Sequence, residues 1–131
     1  MLRGMKVVLA TGNPGKVREL KEGLAPLGWT LLTLADFALR MPKEEGATFL
    51  ENALLKAAYV AKATGLPALA DDSGLEVYAL GGEPGVYSAR YAGTQGDDAA
   101  NNAQLRKRLE AVAPVQRGAY YICVAALSSP T

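Results

Sequence analysis

Histidine is absent from the 131-residue sequence, and this absence excludes several kinds of catalytic site. A chain without imidazole has no Ser-His-Asp or Cys-His nucleophile relay and no H-E-x-x-H zinc site. The single cysteine, Cys123, leaves no pair for an internal disulfide. It lies in the apolar run 119–127, where we expect a buried strand, a reduced thiol and hence a reducing compartment. Any catalysis must therefore use carboxylates, lysines, hydroxyls or a metal.

An excess of one charge and long apolar runs are also lacking. The 14 Lys and Arg residues against 13 Asp and Glu residues give a net charge of +1, without the basic excess typical of nucleic-acid binding. The longest apolar run, 119–127, is about half as long as a membrane-spanning helix. The N-terminal residues show no signal-type apolar region. We therefore expect a cytoplasmic protein with no nucleic-acid or membrane partner.

Strand-like and helix-like segments alternate along the chain, whose length indicates one domain covering residues 1–131. We predict strands at 6–10, 29–34, 68–70, 75–80 and 119–127. We predict helices from Lys16 to the stop at Pro26, from a Thr48–Glu51 capping box to Gly65, and from Asp97 or Asp98 to about Val112. This alternation predicts a three-layer α/β fold with ligands at the carboxyl ends of the strands.

The loop Thr11-Gly12-Asn13-Pro14-Gly15-Lys16 connects the first predicted strand to the first helix. Backbone N–H groups at a helix N-terminus favour an anion, and Lys16 adds a positive charge. The glycine spacing differs from that of a Walker A loop, and Val17 stands where Ser or Thr would bind Mg²⁺. The loop predicts a phosphate cradle, with an ordinary turn before a helix as the alternative.

The segment Asp71-Asp72-Ser73-Gly74 follows the short predicted strand 68–70 directly. Two carboxylates at a strand end can hold Mg²⁺ or Mn²⁺, with Glu44, Glu45 or Glu76 as further candidate ligands. Water held in such a site becomes a nucleophile for attack on a phosphate. The structural alternative is an Asx-type turn.

Two further features have both a functional and a structural interpretation. Lys56, on the second predicted helix, either reaches a phosphate or lies at the surface with its stem over apolar neighbours. Tyr87, Arg90 and Tyr91 either stack on a nucleobase or pack against the fold. The phosphate loop, the carboxylates and the absence of histidine together fit a Mg²⁺-dependent phosphoanhydride hydrolase.

Four sequence blocks occur in order: Val8–Lys16, Phe49–Ala57, Ala70–Leu75 and Gly81–Gly93. Together they resemble the inosine triphosphate pyrophosphatase family, also called Ham1-like, over residues 6–127. The resemblance implies a three-layer α/β fold whose mixed sheet is flanked by helices and carries a central substrate cleft. It implies hydrolysis of ITP, dITP and XTP to the monophosphate and pyrophosphate, a requirement for Mg²⁺, and a homodimer.

The resemblance also implies roles for individual residues. The triphosphate would be bound by the loop residues Thr11, Gly12, Asn13, Pro14, Gly15 and Lys16, and Ser73 would contact substrate. Asp72 would accept a proton from the attacking water and bind Mg²⁺, with Glu44 as the second metal ligand and Glu45 as its rival. Lys16 and Lys56 would offset charge on the pyrophosphate leaving group.

One part of the family pattern has no counterpart in this sequence. Family members continue beyond the strand 119–127 into a Phe-Gly-Tyr-Asp segment, a lysine and a Ser-His-Arg motif that help to recognise the purine. We therefore expect the chain to lack the C-terminal portion of the domain, and an inactive nucleotide-binding fragment or homologue is the alternative function. Septum-formation-inhibitor pyrophosphatases are a further alternative, but they lack a loop of the 11–16 type.

Overall fold

The computed structural model describes residues 4–131, which form two compact units. The first unit contains the described residues up to Asp71 together with Val124–Thr131. The second unit contains Asp72–Cys123. The expectation of a single domain over the whole chain stays a prediction.

The described residues contain four strands and three α-helices. The strands are β1 (Lys6–Leu9), β2 (Thr30–Thr33), β3 (Ala68–Val77) and β4 (Ala119–Ser128), and the helices are α1 (Pro14–Leu24), α2 (Phe49–Thr64) and α3 (Asp98–Leu109). The sheet order is β2-β1-β3-β4, and β1 runs parallel to both β2 and β3. This arrangement confirms the predicted α/β class. None of the helices in residues 4–131 has the length and apolar composition needed to cross a membrane.

The core of the first unit is formed by β1, the start of β3 and one face of α2. Strand β1 is apolar throughout its buried part because it lies between two parallel neighbours. Helix α2 contributes Ala53, Ala57, Val60 and Ala61, which are fully buried. Their spacing places them on one side of the helix. Because this side packs into the core, the rotation of α2 about its own axis is set, and so is the direction in which its other side chains point.

Both ends of α2 follow the sequence signals. Thr48 Oγ1 accepts a hydrogen bond from the Glu51 N–H at 3.1 Å. Glu51 Oε2 accepts one from the Ala47 N–H at 2.7 Å, so the return bond of the capping box reaches one residue further back than expected. Gly65 ends the helix with φ of 72°, a left-handed conformation that glycine adopts readily.

Strand β3 differs from the prediction of two short strands separated by a turn at 71–74. It is one strand of ten residues, and the acidic pair therefore lies within it rather than at its end. Its pairing with β1 is registered at Ala68 and Leu69 only, so Asp71 lies beyond the end of β1. The polar turn-forming residues stay extended because β4 is the other neighbour of β3 in the sheet.

The prediction that β4 is buried, with Cys123 in the core, is wrong. Cys123 is exposed, and within β4 only Ala126 is classed as buried. The apolar run reflects the preference of aromatic and β-branched residues for strands, and β4 lies at an edge of the sheet. The expectation of a reducing compartment rested on a buried thiol, so the exposed Cys123 no longer supports it.

The second unit is held together by side chains that bond to backbone. Asn101, on α3, is buried and joins the helix to the segment before it: its Nδ2 donates to the Ala89 carbonyl at 2.9 Å and its Oδ1 accepts from the Ala92 N–H at 2.8 Å. Ser88 Oγ accepts from the Leu75 N–H at 2.9 Å and donates to the Gly85 carbonyl at 2.6 Å. These bonds satisfy backbone groups of the segment 85–92 and the N–H of Leu75 in β3.

Candidate active site

The β1–α1 loop is closed by its own side chains. Asn13 is the N-cap of α1, and its Oδ1 accepts hydrogen bonds from the N–H groups of Gly15 at 2.8 Å and Lys16 at 3.2 Å. Thr11 Oγ1 accepts from the Asn13 N–H at 3.2 Å. The amides expected to receive an anion are therefore engaged within the loop, and an anion that uses them must replace the Asn13 oxygen.

Lys16 extends from the first turn of α1 to β3. Its Nζ lies 3.0 Å from Asp71 Oδ2, and it lies 4.0 Å from Glu19 Oε2 on the same helix. The Asp71 side chain is only 12% exposed, so this ion pair is partly shielded from water. The sequence indicated Asp71 as one of an acidic pair, but it gave no sign that Lys16 is its partner.

Lys56 is buried, which excludes the surface interpretation. Its side chain is 9% exposed, and its Nζ donates to Glu44 Oε1 at 2.8 Å and to the Asp71 carbonyl at 2.5 Å. A buried ammonium group is stable only when it is paired and hydrogen-bonded. The sequence signal was its spacing: Lys56 lies between Ala53 and Ala57, on the face that α2 buries.

Glu44 and Glu45 are distinguished by their surroundings. Glu44 is partly buried and contacts Lys56, whereas Glu45 is exposed. The position of Glu44 supports it over Glu45 as the candidate metal ligand. The contacts join four residues into one lysine–carboxylate network: Lys16, Glu44, Lys56 and Asp71. Asp71 links the two lysines, because its carboxylate pairs with Lys16 and its carbonyl accepts from Lys56.

Asp72 and Ser73 begin the second unit. Asp72 is 8% exposed, so the residue proposed to be the proton acceptor is a buried carboxylate. Ser73 Oγ lies 3.0 Å from the Tyr121 hydroxyl, at hydrogen-bonding distance. Tyr121 was not singled out from the sequence, because the two residues are 48 positions apart and no local pattern links them.

Glu44 in the first unit and Asp72 in the second each offer carboxylate oxygens, the donor type that Mg²⁺ prefers. This ion takes oxygen ligands and is usually bound through one or two carboxylates together with waters and substrate phosphates. No group of three or more His, Cys, Asp or Glu side chains in residues 4–131 is arranged as a metal site. Carboxylates of this kind suit an ion that takes its remaining ligands from water and substrate.

The aromatic residues of the segment 85–91 have different environments. The Arg90 guanidinium lies 5.1 Å from the centre of the Tyr87 ring, within cation–π range, and Tyr87 is exposed. The Tyr91 hydroxyl donates to Glu83 Oε1 at 3.0 Å, and Arg108 Nη1 also donates to that oxygen at 3.0 Å. Tyr91 therefore packs in a structural network, as the alternative interpretation expected, whereas Tyr87 has an exposed ring.

Comparison with known proteins shows which family the chain belongs to. A family model described as the Ham1 family matches residues 7–131. The chain belongs to the Ham1 family. This membership confirms the resemblance found in the four sequence blocks.

Curated relatives in the Ham1 family are named dITP/XTP pyrophosphatase. One from Thermus thermophilus is 78% identical over 130 residues, covering 99% of this chain and 62% of the relative. One from Haemophilus influenzae is 50% identical over 127 residues, covering 96% of this chain and 65% of the relative. The chain thus spans less than two thirds of the length of these relatives.

Solved structures of the Ham1 family share the fold. A HAM1 protein from Coxiella burnetii matches with a TM-score of 0.86 and 44% identity, covering 94% of this chain and 62% of that one. A nucleoside-triphosphatase / dITP/XTP pyrophosphatase from Mycobacterium abscessus matches with a TM-score of 0.83 and 45% identity, covering 96% and 66%. The α/β fold is therefore the one these proteins adopt.

Proposed function

We propose that this chain binds the triphosphate and Mg²⁺ of a non-canonical purine nucleotide (ITP, dITP or XTP) and hydrolyses it to the monophosphate and pyrophosphate. The observation that supports this most strongly is the lysine–carboxylate network. Two lysines from different helices converge on Asp71, and one of them is buried. Curated Ham1 relatives named dITP/XTP pyrophosphatase support the same substrate class.

The network balances the positive charge of its two lysines. Glu44 pairs with Lys56 and Asp71 with Lys16, so each ammonium group has an opposite charge beside it. When the triphosphate binds, its oxygens replace the carboxylates as partners of the two lysines. Glu44 is then available for the cation. The lysines offset charge that develops on the pyrophosphate leaving group.

Asp72 has the role of proton acceptor in this proposal. The water oxygen forms a bond to the α-phosphorus, the bond from that phosphorus to the pyrophosphate oxygen breaks, and the proton of the water passes to the Asp72 carboxylate. Asp72 is only 8% exposed, so its carboxylate is largely shielded from bulk water. By the family pattern, Asp72 and Glu44 are the candidate ligands of Mg²⁺, which would offset charge on the phosphate oxygens.

The loop 11–16 and Ser73 complete the proposed substrate contacts. Asn13 would turn its carboxamide from the helix amides to the phosphates, and the freed amides of Gly15 and Lys16 would donate to the same group. The Ser73 hydroxyl, placed by Tyr121, would donate to substrate. By the family pattern we also propose a cytoplasmic homodimer, which sedimentation equilibrium would distinguish from a monomer.

Phosphorus NMR of the reaction products tests the proposal. The chain is incubated with ITP and Mg²⁺, with GTP in a parallel sample. We expect inosine monophosphate and pyrophosphate, formed faster than the products from GTP. Orthophosphate as the first product would contradict cleavage at the α-phosphorus. Binding of ITP without any product would favour the alternative of a nucleotide-binding chain without turnover.

The Asp72→Asn variant tests the assigned proton acceptor in the same assay. The amide keeps the size of the side chain but cannot take a proton, so we expect pyrophosphate release to fall by about 100-fold or more. Asp98→Asn, at an exposed aspartate in the first turn of α3, is the matched control and should retain the wild-type rate. Equal rates in both variants would remove Asp72 from the mechanism.

A further inference from the structure

We propose that Asn52 is a positioning residue that holds the loop carrying Glu44 in place for cation binding. The inference rests on the proposed role of Glu44 as a metal ligand. It concerns the loop 44–47, which leads into α2, and it assigns a role to a side chain that is not one of the four members of the lysine–carboxylate network. All of its residues lie in the first unit.

The contact between Asn52 and the loop is short and specific. Asn52 is fully buried, and its Oδ1 accepts a hydrogen bond from the Gly46 N–H at 2.7 Å. A Cβ atom added at Gly46 would lie 2.6 Å from Asn52 Oδ1 and 2.8 Å from Glu51 Cβ. The loop backbone therefore lies directly against the first turns of α2, two residues beyond Glu44, at a distance only glycine permits.

Asn52 is a polar residue at a fully buried position, where an apolar residue would be expected. Asn52 lies on the buried face of α2 with Phe49, Ala53 and Lys56. Its Nδ2 is buried and has no hydrogen-bond partner within residues 4–131. A buried donor without a partner is destabilising, and groups of this kind are uncommon in folded proteins. The benefit that offsets it in this structure is the bond from Oδ1 to Gly46.

Asn52 and Lys56 hold the same loop in different ways. They are four residues apart on one face of α2, and Lys56 holds the loop through the Glu44 carboxylate. That ion pair must loosen when the carboxylate turns to a cation. The bond from Asn52 to the Gly46 backbone does not involve the carboxylate, so it keeps the loop in position during the exchange. Such outer contacts typically set metal affinity through the orientation of the ligand.

Mn²⁺ binding to the full chain, followed by electron paramagnetic resonance, tests this role without relying on turnover. Asn52→Ala removes the acceptor, and we expect the dissociation constant for Mn²⁺ to rise by about 10–100-fold. Circular dichroism establishes that the variant is folded under the same conditions. A purely structural role would lower the midpoint of unfolding and leave the Mn²⁺ affinity of the folded protein unchanged, which would overturn the inference.

Gly46→Ala provides a second variant that leaves α2 unaltered. The added methyl group meets Asn52 Oδ1, so we expect weaker Mn²⁺ binding and faster hydrogen exchange at the position-46 amide, measured by NMR. Gly23→Ala on α1 is the matched control, because a Cβ atom there meets nothing within 4 Å. Its Mn²⁺ affinity should equal that of the wild type. Wild-type affinity in Gly46→Ala would contradict the inference.

The outcomes also separate this inference from the proposed function. A wild-type chain that binds Mn²⁺ but releases no pyrophosphate from ITP contradicts the hydrolase proposal, while the Asn52→Ala comparison still decides the inference. A wild-type chain that hydrolyses ITP, with Asn52→Ala matching it in both Mn²⁺ affinity and Mg²⁺ dependence, overturns the inference alone. A wild-type chain that binds no Mn²⁺ overturns the cation site and this inference together.

Discussion

The Lys56 ammonium group lies in the first unit between a carboxylate and a backbone carbonyl. Removing an ammonium group from water is costly. The ion pair with Glu44 and the hydrogen bond to the Asp71 carbonyl offset that cost only while both contacts persist. A lysine with this environment can exchange one oxygen partner for another without becoming exposed. This property suits a residue that meets phosphate oxygens.

Lys56→Met is expected to impair substrate binding more than it impairs folding. Methionine fills a similar volume but cannot bond to phosphate, so we expect KM for ITP to rise by about tenfold or more, equivalent to about 1.4 kcal/mol. Lys62→Met, at an exposed position on the same helix, is the control. Steady-state kinetics on both variants make the comparison. An equal KM in Lys56→Met and Lys62→Met would contradict the phosphate role.

At the residue scale, the sequence points to candidate site residues where the signal is local or lies in a motif. The loop 11–16 and Glu44 are predicted from such signals, and their functional roles stay predictions. Asn52 lies within the block Phe49–Ala57, but the sequence assigns it no role, because its bond to Gly46 depends on how the loop folds back over α2. Tyr121 was missed and Cys123 was placed wrongly, since the composition of β4 does not reveal which of its residues are covered.

The start of α1 combines two tasks in one residue. Asn13 caps the helix through the amides of Gly15 and Lys16, and the proposed substrate competes for those amides. A cap of this kind stabilises a helix by about 1 kcal/mol. Exchange of the cap for a phosphate keeps the amides bonded in both states, so the helix start is not left without hydrogen bonds.

Asn13→Asp separates the cap from the phosphate contact. Aspartate caps helices as well as asparagine does, so we expect the free energy of unfolding to change by less than about 0.5 kcal/mol. Its negative charge opposes a phosphate, so ITP affinity should fall by about tenfold or more relative to Asn13→Ser, which caps without charge. Urea unfolding and calorimetric titration measure the two effects. Equal ITP affinity in the two variants would contradict phosphate binding at this helix start.

Helices were easier to predict than strands in this chain, for a physical reason. The ends of α2 are determined by neighbouring residues, Thr48 at its start and Gly65 at its end. The extent of β3 depends on which strands lie beside it, and the turn-forming residues 71–74 indicated a break that the structure does not have. Local side-chain chemistry determines a cap, whereas sheet pairing between distant segments determines the length of a strand.

At the scale of the whole molecule, the two units are stabilised differently. The first unit has a core of small and branched apolar residues. The second relies on polar links such as that between Glu83, Tyr91 and Arg108, which joins α3 to the segment before it. Burial raises the pKa of the Tyr91 phenol above its usual value of 10.0, and the hydrogen bond to Glu83 raises it further.

This shift predicts a loss of stability in alkali. A raised pKa in the folded state means that the protonated phenol is favoured there, so its contribution is complete below about pH 10 and is lost as the pH rises through the folded-state value. We expect Tyr91→Phe to show a smaller decrease in the free energy of unfolding between pH 8 and pH 11. Urea denaturation at both pH values measures it, and an equal decrease would contradict the assignment. The hydrogen bond to Glu76 also raises the phenol pKa of Tyr120 above its usual value.

The site of water attack is the most direct test of the account as a whole. The chain is incubated with ITP and Mg²⁺ in ¹⁸O-labelled water, and mass spectrometry locates the label in the products. The account predicts one ¹⁸O atom in inosine monophosphate and none in pyrophosphate, because water attacks the α-phosphorus. Label in pyrophosphate or in released orthophosphate would contradict it.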